Sequence, residues 1–154
     1  MPTHFKGSPR QVRALNAFIK LMRASETVNA KLLPTLTRAQ LTTGQFGVLE
    51  VVHHLGPMTQ CDIARKLLRS GANVTTVLDN LEKRGLIRRE RGIEDRRFIT
   101  IHLTDAGKKK LNSVFPKHVE EICDILDALD PAEQEELGRL CRKVGQAVKV
   151  ECQH

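Results

Sequence analysis

Helical spacing of apolar residues along most of this 154-residue chain, interrupted once by strand spacing, predicts a mostly α fold with a small two- or three-stranded β wing. Three stretches carry that prediction. SGANVTTVLDNLEKRGLI, from Ser70, puts Val74, Val77, Leu78 and Leu81 on one face of a helix and Asn73, Thr76, Asn80 and Lys83 on the other. From Ile87 to Leu103 the period changes, and Ile99, Ile101 and Leu103 alternate with Phe98, Thr100 and His102. Between these strands, Gly92 to Arg97 is a polar connection carrying Asp95, Arg96 and Arg97. Ahead of both stretches, MTQCDIARKLLRSG reads as a shorter helix that breaks at Ser70-Gly71. Two helices joined by a short turn containing Gly, then a basic hairpin, make a winged helix-turn-helix, here flanked by N- and C-terminal helices suited to dimerisation.

Composition sets the outer limits. With 40% hydrophobic residues, the chain has the length for one domain with a real core and is too short for two independent ones. No apolar run approaches the roughly 18 residues of a membrane span, and no charged-then-apolar leader opens the sequence, so a cytoplasmic protein is expected. Cys61, Cys123, Cys141 and Cys152 are widely spaced with no CxxC, matching neither a zinc knuckle nor a disulfide framework, and reduced thiols are expected. The net charge of +7 is unevenly divided. Residues 1–58 carry 7 basic and 2 acidic side chains, 59–110 carry 13 and 7, and 111–154 carry 5 and 9. Two basic parts and an acidic tail give an oriented field, and a polyanion is the usual partner of such a field.

Taken in order, Met1 to Ser8 reads as a loose terminus and Pro9 as the first turn of a helix carrying Val12, Leu15, Phe18, Ile19, Met22, Val28 and Leu32, which Pro34 is expected to end. At about 24 residues, some 36 Å, it is longer than the small domain beside it requires, so part of it should meet a second subunit. LTTGQFGVLEVVHHL follows, with Thr42 or Thr43 as N-cap and Gly56-Pro57 as the break. His53 and His54 are adjacent, point about 100° apart on a helix, and so cannot share a metal as an i, i+4 pair does. Thr59 caps the next helix, with Ile63, Ala64 and Leu67 turned inward. Gly85 fits the left-handed position that ends the Ser70 helix, and Lys83 and Arg84 suit its negative end. Thr104 caps a helix through Leu111, Val114, Phe115, Val119, Ile122, Ile125, Leu126 and Leu129, which Pro116 should bend. Asp130-Pro131-Ala132-Glu133 starts the last helix, with Leu137, Leu140, Cys141, Val144, Ala147 and Val148 on one face. A monomer has too little surface to cover both chain ends, which points to an isologous dimer. The division expected is 1–35 as N-terminal dimerisation helix, 36–104 as winged unit and 105–154 as C-terminal dimerisation helices, all one integrated domain.

The face of Asn73, Thr76, Asn80 and Lys83 carries no carboxylate and can lie against something polar and negative. A winged helix used as a protein-interaction module would need an apolar face there, and these residues speak against it. Nothing points to an enzyme. No nucleophile, base and orienting group occur together, and there is no phosphate loop or metal spacing, so neither catalytic residues nor a cofactor or metal are expected. Arg88, Arg89 and Arg91 read equally well as a solvated strand face and as phosphate contacts, as do Lys108 to Lys110 on a helix start.

QFGVLEVV, MTQCDIARKL, VTTVLDNLEKRGLIRRE and EDRRFITIHLTDAGKKKL together resemble the MarR family of bacterial winged-helix transcription regulators, closely over about residues 42–111 and in helix order throughout. Most specific is the combination of Leu81-Glu82-Lys83-Arg84-Gly85-Leu86, Asp95-Arg96-Arg97 and Leu103-Thr104-Asp105-Ala106-Gly107. The resemblance implies a homodimer on double-stranded DNA, with the helix from Gly71 to Arg84 in the major groove and the wing in the flanking minor groove of a near-palindromic operator. It assigns Ser70, Asn73, Thr75, Thr76, Asn80 and Lys83 to the first contact and Asp95, Arg96 and Arg97 to the second, with Arg97 entering the groove and Asp95 holding it. Asn pairs bidentately with adenine, Thr meets a thymine methyl, and Arg suits a narrow A·T-rich minor groove. Two recognition helices would sit about 34 Å apart, one turn of B-DNA. Where many similar members carry Arg, this helix has Thr76 and Asn80.

The resemblance also implies a repressor released by a small aromatic acid or phenol, although with no Trp, no Tyr and five Phe this chain offers few aromatic walls. The other route is a thiol. Cys61 falls in the first turn of a helix, where the dipole favours thiolate, and its other reading is a small inert residue. The family's peroxide sensors carry their reactive Cys near the N-terminus, and no Cys precedes Cys61 here.

Overall fold

Each helix begins where the sequence supplies an acceptor for its first free amides. The computed structural model describes residues 3–67 and 71–148. Along them run α1 (Pro9–Arg38), α2 (Thr43–Leu55), β1 (Met58–Thr59), α3 (Gln60–Leu67), α4 (Gly71–Lys83), β2 (Ile87–Arg91), β3 (Ile99–Leu103), α5 (Asp105–Leu126) and α6 (Pro131–Ala147). Ser8, Thr42, Thr104 and Asp130 are the N-caps of α1, α2, α5 and α6, and Gln11, Gln45 and Glu133 close reciprocal capping boxes on three of them. Thr59 Oγ1 accepts from the Asp62 amide at 3.2 Å and starts α3.

Pro34 does not end α1, contrary to the sequence expectation. The helix runs 30 residues, to Arg38. An interior proline removes one backbone hydrogen bond and costs about 3 kcal/mol. Here Leu32, Thr35 and Leu36 are buried around it and hold the last turns against the core. The chain turns only at Gln40, at φ 56°, where the Leu41 amide returns to the Leu36 carbonyl at 2.9 Å.

The core sits inside the winged unit. Leu49, Ile63, Leu78, Leu81, Ile87, Ile101 and Leu111 draw α2 to α5 and the sheet around one centre, with Leu36 reaching in from the end of α1. The strand order is β1-β3-β2, antiparallel throughout, with Ile87 opposite Leu103 and Met58 opposite Ile101. The chain ends are different. No residue of α6 is buried, and Phe18, Leu21 and Met22 of α1 and Leu137, Leu140 and Val144 of α6 are exposed.

One joint ties α4 to α5. The Leu86 amide returns to the Leu81 carbonyl at 3.0 Å and the Gly85 amide to Glu82 at 2.9 Å, a Schellman close made with Gly85 at φ 70°. Thr104 Oγ1 donates to the Gly85 carbonyl at 2.6 Å, accepts from the Gly107 amide at 3.0 Å, and the Thr104 amide donates to Leu86 at 3.2 Å. Gly107 lies so close that a Cβ there would stand 2.0 Å from the Leu86 carbonyl oxygen.

Against α2, the His118 ring of α5 packs 4.4 Å from the Phe46 ring, with Phe115 stacked 6.3 Å from Phe46. Thr35 Oγ1 donates to Glu121 Oε1 at 2.7 Å and joins α1 to the same stretch of α5. Only 8% of His118 is exposed. Burial pushes its imidazolium below the usual histidine range, and the nearby Glu121 and Glu50 only partly oppose this.

Two outcomes follow from this packing. Gly107→Ala should lower stability by about 2–3 kcal/mol through overpacking against a backbone carbonyl, read as a shifted urea midpoint at unchanged slope. His118 stays neutral in the folded chain while the unfolded chain protonates near pH 6.5, so its contribution is complete above about pH 6.5 and is lost as pH falls toward the lower folded value. His118→Gln should therefore flatten the fall in stability between about pH 7 and about pH 5, measured by urea denaturation at both ends. Parallel profiles for the two proteins would refute this role.

Candidate nucleic-acid interface

The buried stripe of Val74, Leu78 and Leu81 fixes the rotation of α4, and Asn73, Thr75, Thr76, Asn80 and Lys83 are left exposed. Ser70 lies outside the described residues. Gln60 Nε2 donates to Thr75 Oγ1 and links the two helices of the helix-turn-helix. Asn80 is linked inward as well, its Oδ1 accepting from Gln45 Nε2 at 2.7 Å.

Asp79 and Glu82 also lie on α4, and Arg89 of β2 neutralises both. Its Nη2 is 2.6 Å from Asp79 Oδ1, its Nη1 pairs with Glu82, and its amide donates to Glu82 Oε1 at 3.2 Å. The Arg89 side chain is 23% exposed. Burial works against its charge, and the two carboxylates outweigh burial and raise its pKa. Arg89 is thus an internal brace between wing and recognition helix, neither of the roles its spacing suggested. Arg88 likewise pairs with Glu90 at 2.6 Å and holds that carboxyl below its ordinary range.

The wing tip is built around Asp95. The Gly92 amide donates to the Phe98 carbonyl at 2.8 Å and the Phe98 amide to Asp95 at 3.2 Å, closing the hairpin. The Asp95 carboxylate accepts from the Arg97 amide at 2.9 Å, from its Nε at 3.1 Å and from its Nη2 at 2.9 Å. This fork holds Asp95 below the usual carboxylate range and leaves the Arg97 side chain 90% exposed. Arg96, beside it, is exposed too. A fixed, solvated guanidinium on a narrow hairpin has the size and charge for a groove between two phosphate rows.

Cys61 is half-buried in the first turn of α3 and disulfide-bonded, whereas Cys123 and Cys141 are free and exposed. Reduced thiols therefore describe the latter two and not Cys61. Cys152 lies outside the described residues. The His53 and His54 rings stand edge-on at 5.0 Å, and no metal-holding group occurs among the described residues. No described helix is long and apolar enough to cross a membrane. The sequence reading did not find Asn80 and Arg84 as partners of Gln45. The one available signal was the T-x-x-Q capping box, which marks a helix start and says nothing of a tertiary contact.

A model of the MarR family matches residues 41–99, from the turn before α2 to the start of β3. An uncharacterised HTH-type transcriptional regulator of Bacillus subtilis (strain 168), YkoM, is 33% identical over 133 residues, which cover 86% of each chain. Among solved structures, Bordetella bronchiseptica BpsR, described for regulation of its DNA binding by 6-hydroxynicotinic acid, shares 26% identity at a TM-score of 0.74 over 83% of this chain and 97% of its own. Sco3205 from Streptomyces coelicolor, a MarR family regulator solved with DNA, shares the fold at a TM-score of 0.81, with 22% identity over 95% of this chain and 92% of that one. With such similarity over most of both chains, and the family pattern lying across the polar helix and the Asp95–Arg97 wing, this chain belongs to the MarR family of DNA-binding transcriptional regulators.

Proposed function

We propose that the protein is a homodimeric, cytoplasmic repressor that holds a near-palindromic operator and is released by a small-molecule effector. One observation carries the reading. The exposed face of α4, its carboxylates neutralised by Arg89, stands beside a wing whose Arg97 is fixed by Asp95. In this mechanism Ser70, Asn73, Thr75, Thr76, Asn80 and Lys83 meet the major groove, and Arg96 and Arg97 meet the flanking minor groove. The exposed apolar residues of α1 and α6 support a second copy as the missing partner, since no residue of α6 is buried within its own chain. The effector part is supported by BpsR, the neighbour regulated by a small aromatic acid. A cleft of about 820 Å³ opens between the end of α1, the start of α2 and α4, with Asn80 and Arg84 on its wall, so an occupant there touches the recognition helix directly.

A second reading makes the signal a thiol. It is favoured by the disulfide-bonded state of Cys61 next to Gln60, which is itself hydrogen-bonded to α4. Operator binding that is unchanged by dithiothreitol would leave the effector reading standing alone.

Arg97→Ala should weaken binding to DNA from upstream of the protein's own gene by about 1–3 kcal/mol, with little change on random duplex. Lys110→Ala should act almost equally on both. Fluorescence anisotropy measures each, and equal losses for Arg97→Ala on the two DNAs would remove the minor-groove assignment. Leu140→Asp places a charge in the proposed interface and should shift the sedimentation coefficient from dimer toward monomer while the helical circular dichroism signal stays, with operator affinity falling more than tenfold as the two half-sites uncouple. A dimer undisturbed by this change would move the interface off α6.

A further inference from the structure

A single side chain, Gln45, hydrogen-bonds the corner between α1 and α2 to the recognition helix, and the direction of its bonds dictates which atoms Asn80 can offer. Gln45 is 9% exposed. Its Oε1 accepts from the Thr42 amide at 3.0 Å and from Arg84 Nη1 at 3.2 Å, and its Nε2 donates to Asn80 Oδ1 at 2.7 Å. An amide's oxygen and nitrogen are alike in shape, so which is which must be decided by the partners. A backbone amide and a guanidinium are donors only. The Gln45 atom they share is therefore the oxygen, the other is the NH₂ group, and the Asn80 atom facing that donor must be an oxygen as well. Asn80 thus has its acceptor engaged within the protein. Its Nδ2 protons, on an exposed side chain, have no partner among the described residues.

We infer that Gln45 is a specificity-determining positioning residue, which turns the Asn80 amide so that its NH₂ rather than its oxygen leads toward DNA. The inference rests on the reading of α4 as the helix in the major groove. A bidentate Asn–adenine pair needs the oxygen and the NH₂ of the amide to face the base together, and the bond to Gln45 draws Oδ1 toward the protein instead. An outward NH₂ suits N7 of either purine, O6 of guanine or O4 of thymine, and meets no acceptor on cytosine. Gln45 acts through Asn80, and Arg84 steadies it through the oxygen they share.

Gln45→Glu tests this with little change in shape. Glutamate at this place keeps the capping box with Thr42 and still accepts from Arg84. It has no proton to donate, so Asn80 must turn its NH₂ inward and present its oxygen outward. Duplexes selected from a randomised pool by the wild type, Gln45→Glu and Asn80→Ala would be compared, with anisotropy on single-base variants. Expected for the wild type is discrimination of about 3- to 10-fold against cytosine at one position per half-site, one hydrogen bond's worth, which Asn80→Ala abolishes. Gln45→Glu should shift that position alone toward cytosine or adenine, whose major-groove amino groups donate. An unchanged base preference, or an equal loss on all sequences, would overturn the inference.

Side-chain amide exchange followed by NMR reads the bond direction without DNA. In the wild type the Gln45 NH₂ should be protected and the Asn80 NH₂ should exchange freely, and in Gln45→Glu the Asn80 NH₂ should become protected. Protection of the Asn80 NH₂ in the wild type sinks the inference at its first step. A wild type that selects no duplex at all brings down the recognition reading and this inference with it. An inverted amide with no shift in base preference overturns the inference alone.

Discussion

The joint at Gly85, Leu86, Thr104 and Gly107 is the constraint on which the rest of the molecule depends. Four chain segments meet there: the end of α4, the start of β2, the end of β3 and the first turn of α5. Thr104 serves as cap of α5 and donor to the Gly85 carbonyl, and Gly107 brings the α5 backbone against Leu86 with no room for a side chain. Both strands of the wing are therefore anchored at the base beside the recognition helix, with Ile87 and Leu103 paired and buried at that end. The free end of the hairpin has no such anchor, and its shape comes from the Gly92–Phe98 backbone bond and from Asp95. Rigid base and locally fixed tip together set where Arg97 stands relative to α4.

Charge is arranged with the same economy. The middle of the chain holds 13 basic and 7 acidic residues, yet several of those cations are not available to a partner. Arg89 is taken up by Asp79 and Glu82, and Arg88 by Glu90. Exposed pairs such as Arg88–Glu90 contribute little to stability, roughly 0–1 kcal/mol. Their larger effect is on the field, because each neutralises a carboxylate that would otherwise repel phosphate near the α4 face. Asp95 differs from the others. It keeps its charge but gives it to Arg97, lowering the net charge of the tip while fixing the guanidinium in place. For insertion into a narrow groove a fixed cation is worth more than a mobile one, since the ordering entropy of a long side chain is already lost.

What could be read from the residues was whatever is local. The caps at Thr42, Thr104 and Asp130, the stop at Gly85 and the change of period at Ile99 depend on spacings of a few residues, and each matches the structure. Pro34 was misread because a local rule met a tertiary fact: burial of Leu32, Thr35 and Leu36 outweighs one missing hydrogen bond. Within the site, the polar face of α4 and the Asp95–Arg97 pair were visible for the same reason that the caps were. Arg89 was not, since its partners are on another element. Gln45 was seen only as a cap residue, because its second pair of partners, Asn80 and Arg84, lies 35 and 39 positions away.

The connections out of the winged unit determine how a signal can enter it. On one side the end of α1 reaches the core through Leu36, and Thr35 bonds Glu121 of α5. On the other, the turn after α1 reaches α4 through Thr42 and Gln45. In the proposed dimer α1 and α6 set the spacing of the two readers, and the second route joins that spacing to α4 by a few hydrogen bonds. Hydrogen bonds are directional and are lost within a few tenths of an ångström, whereas apolar packing tolerates sliding. A small displacement of the α1–α2 corner can therefore change what α4 presents while the core stays intact. In the proposed effector-released mechanism the corner, more than the aromatic cluster at Phe46 and His118 buried behind it, would be the place where an occupant of the neighbouring cleft changes what α4 presents.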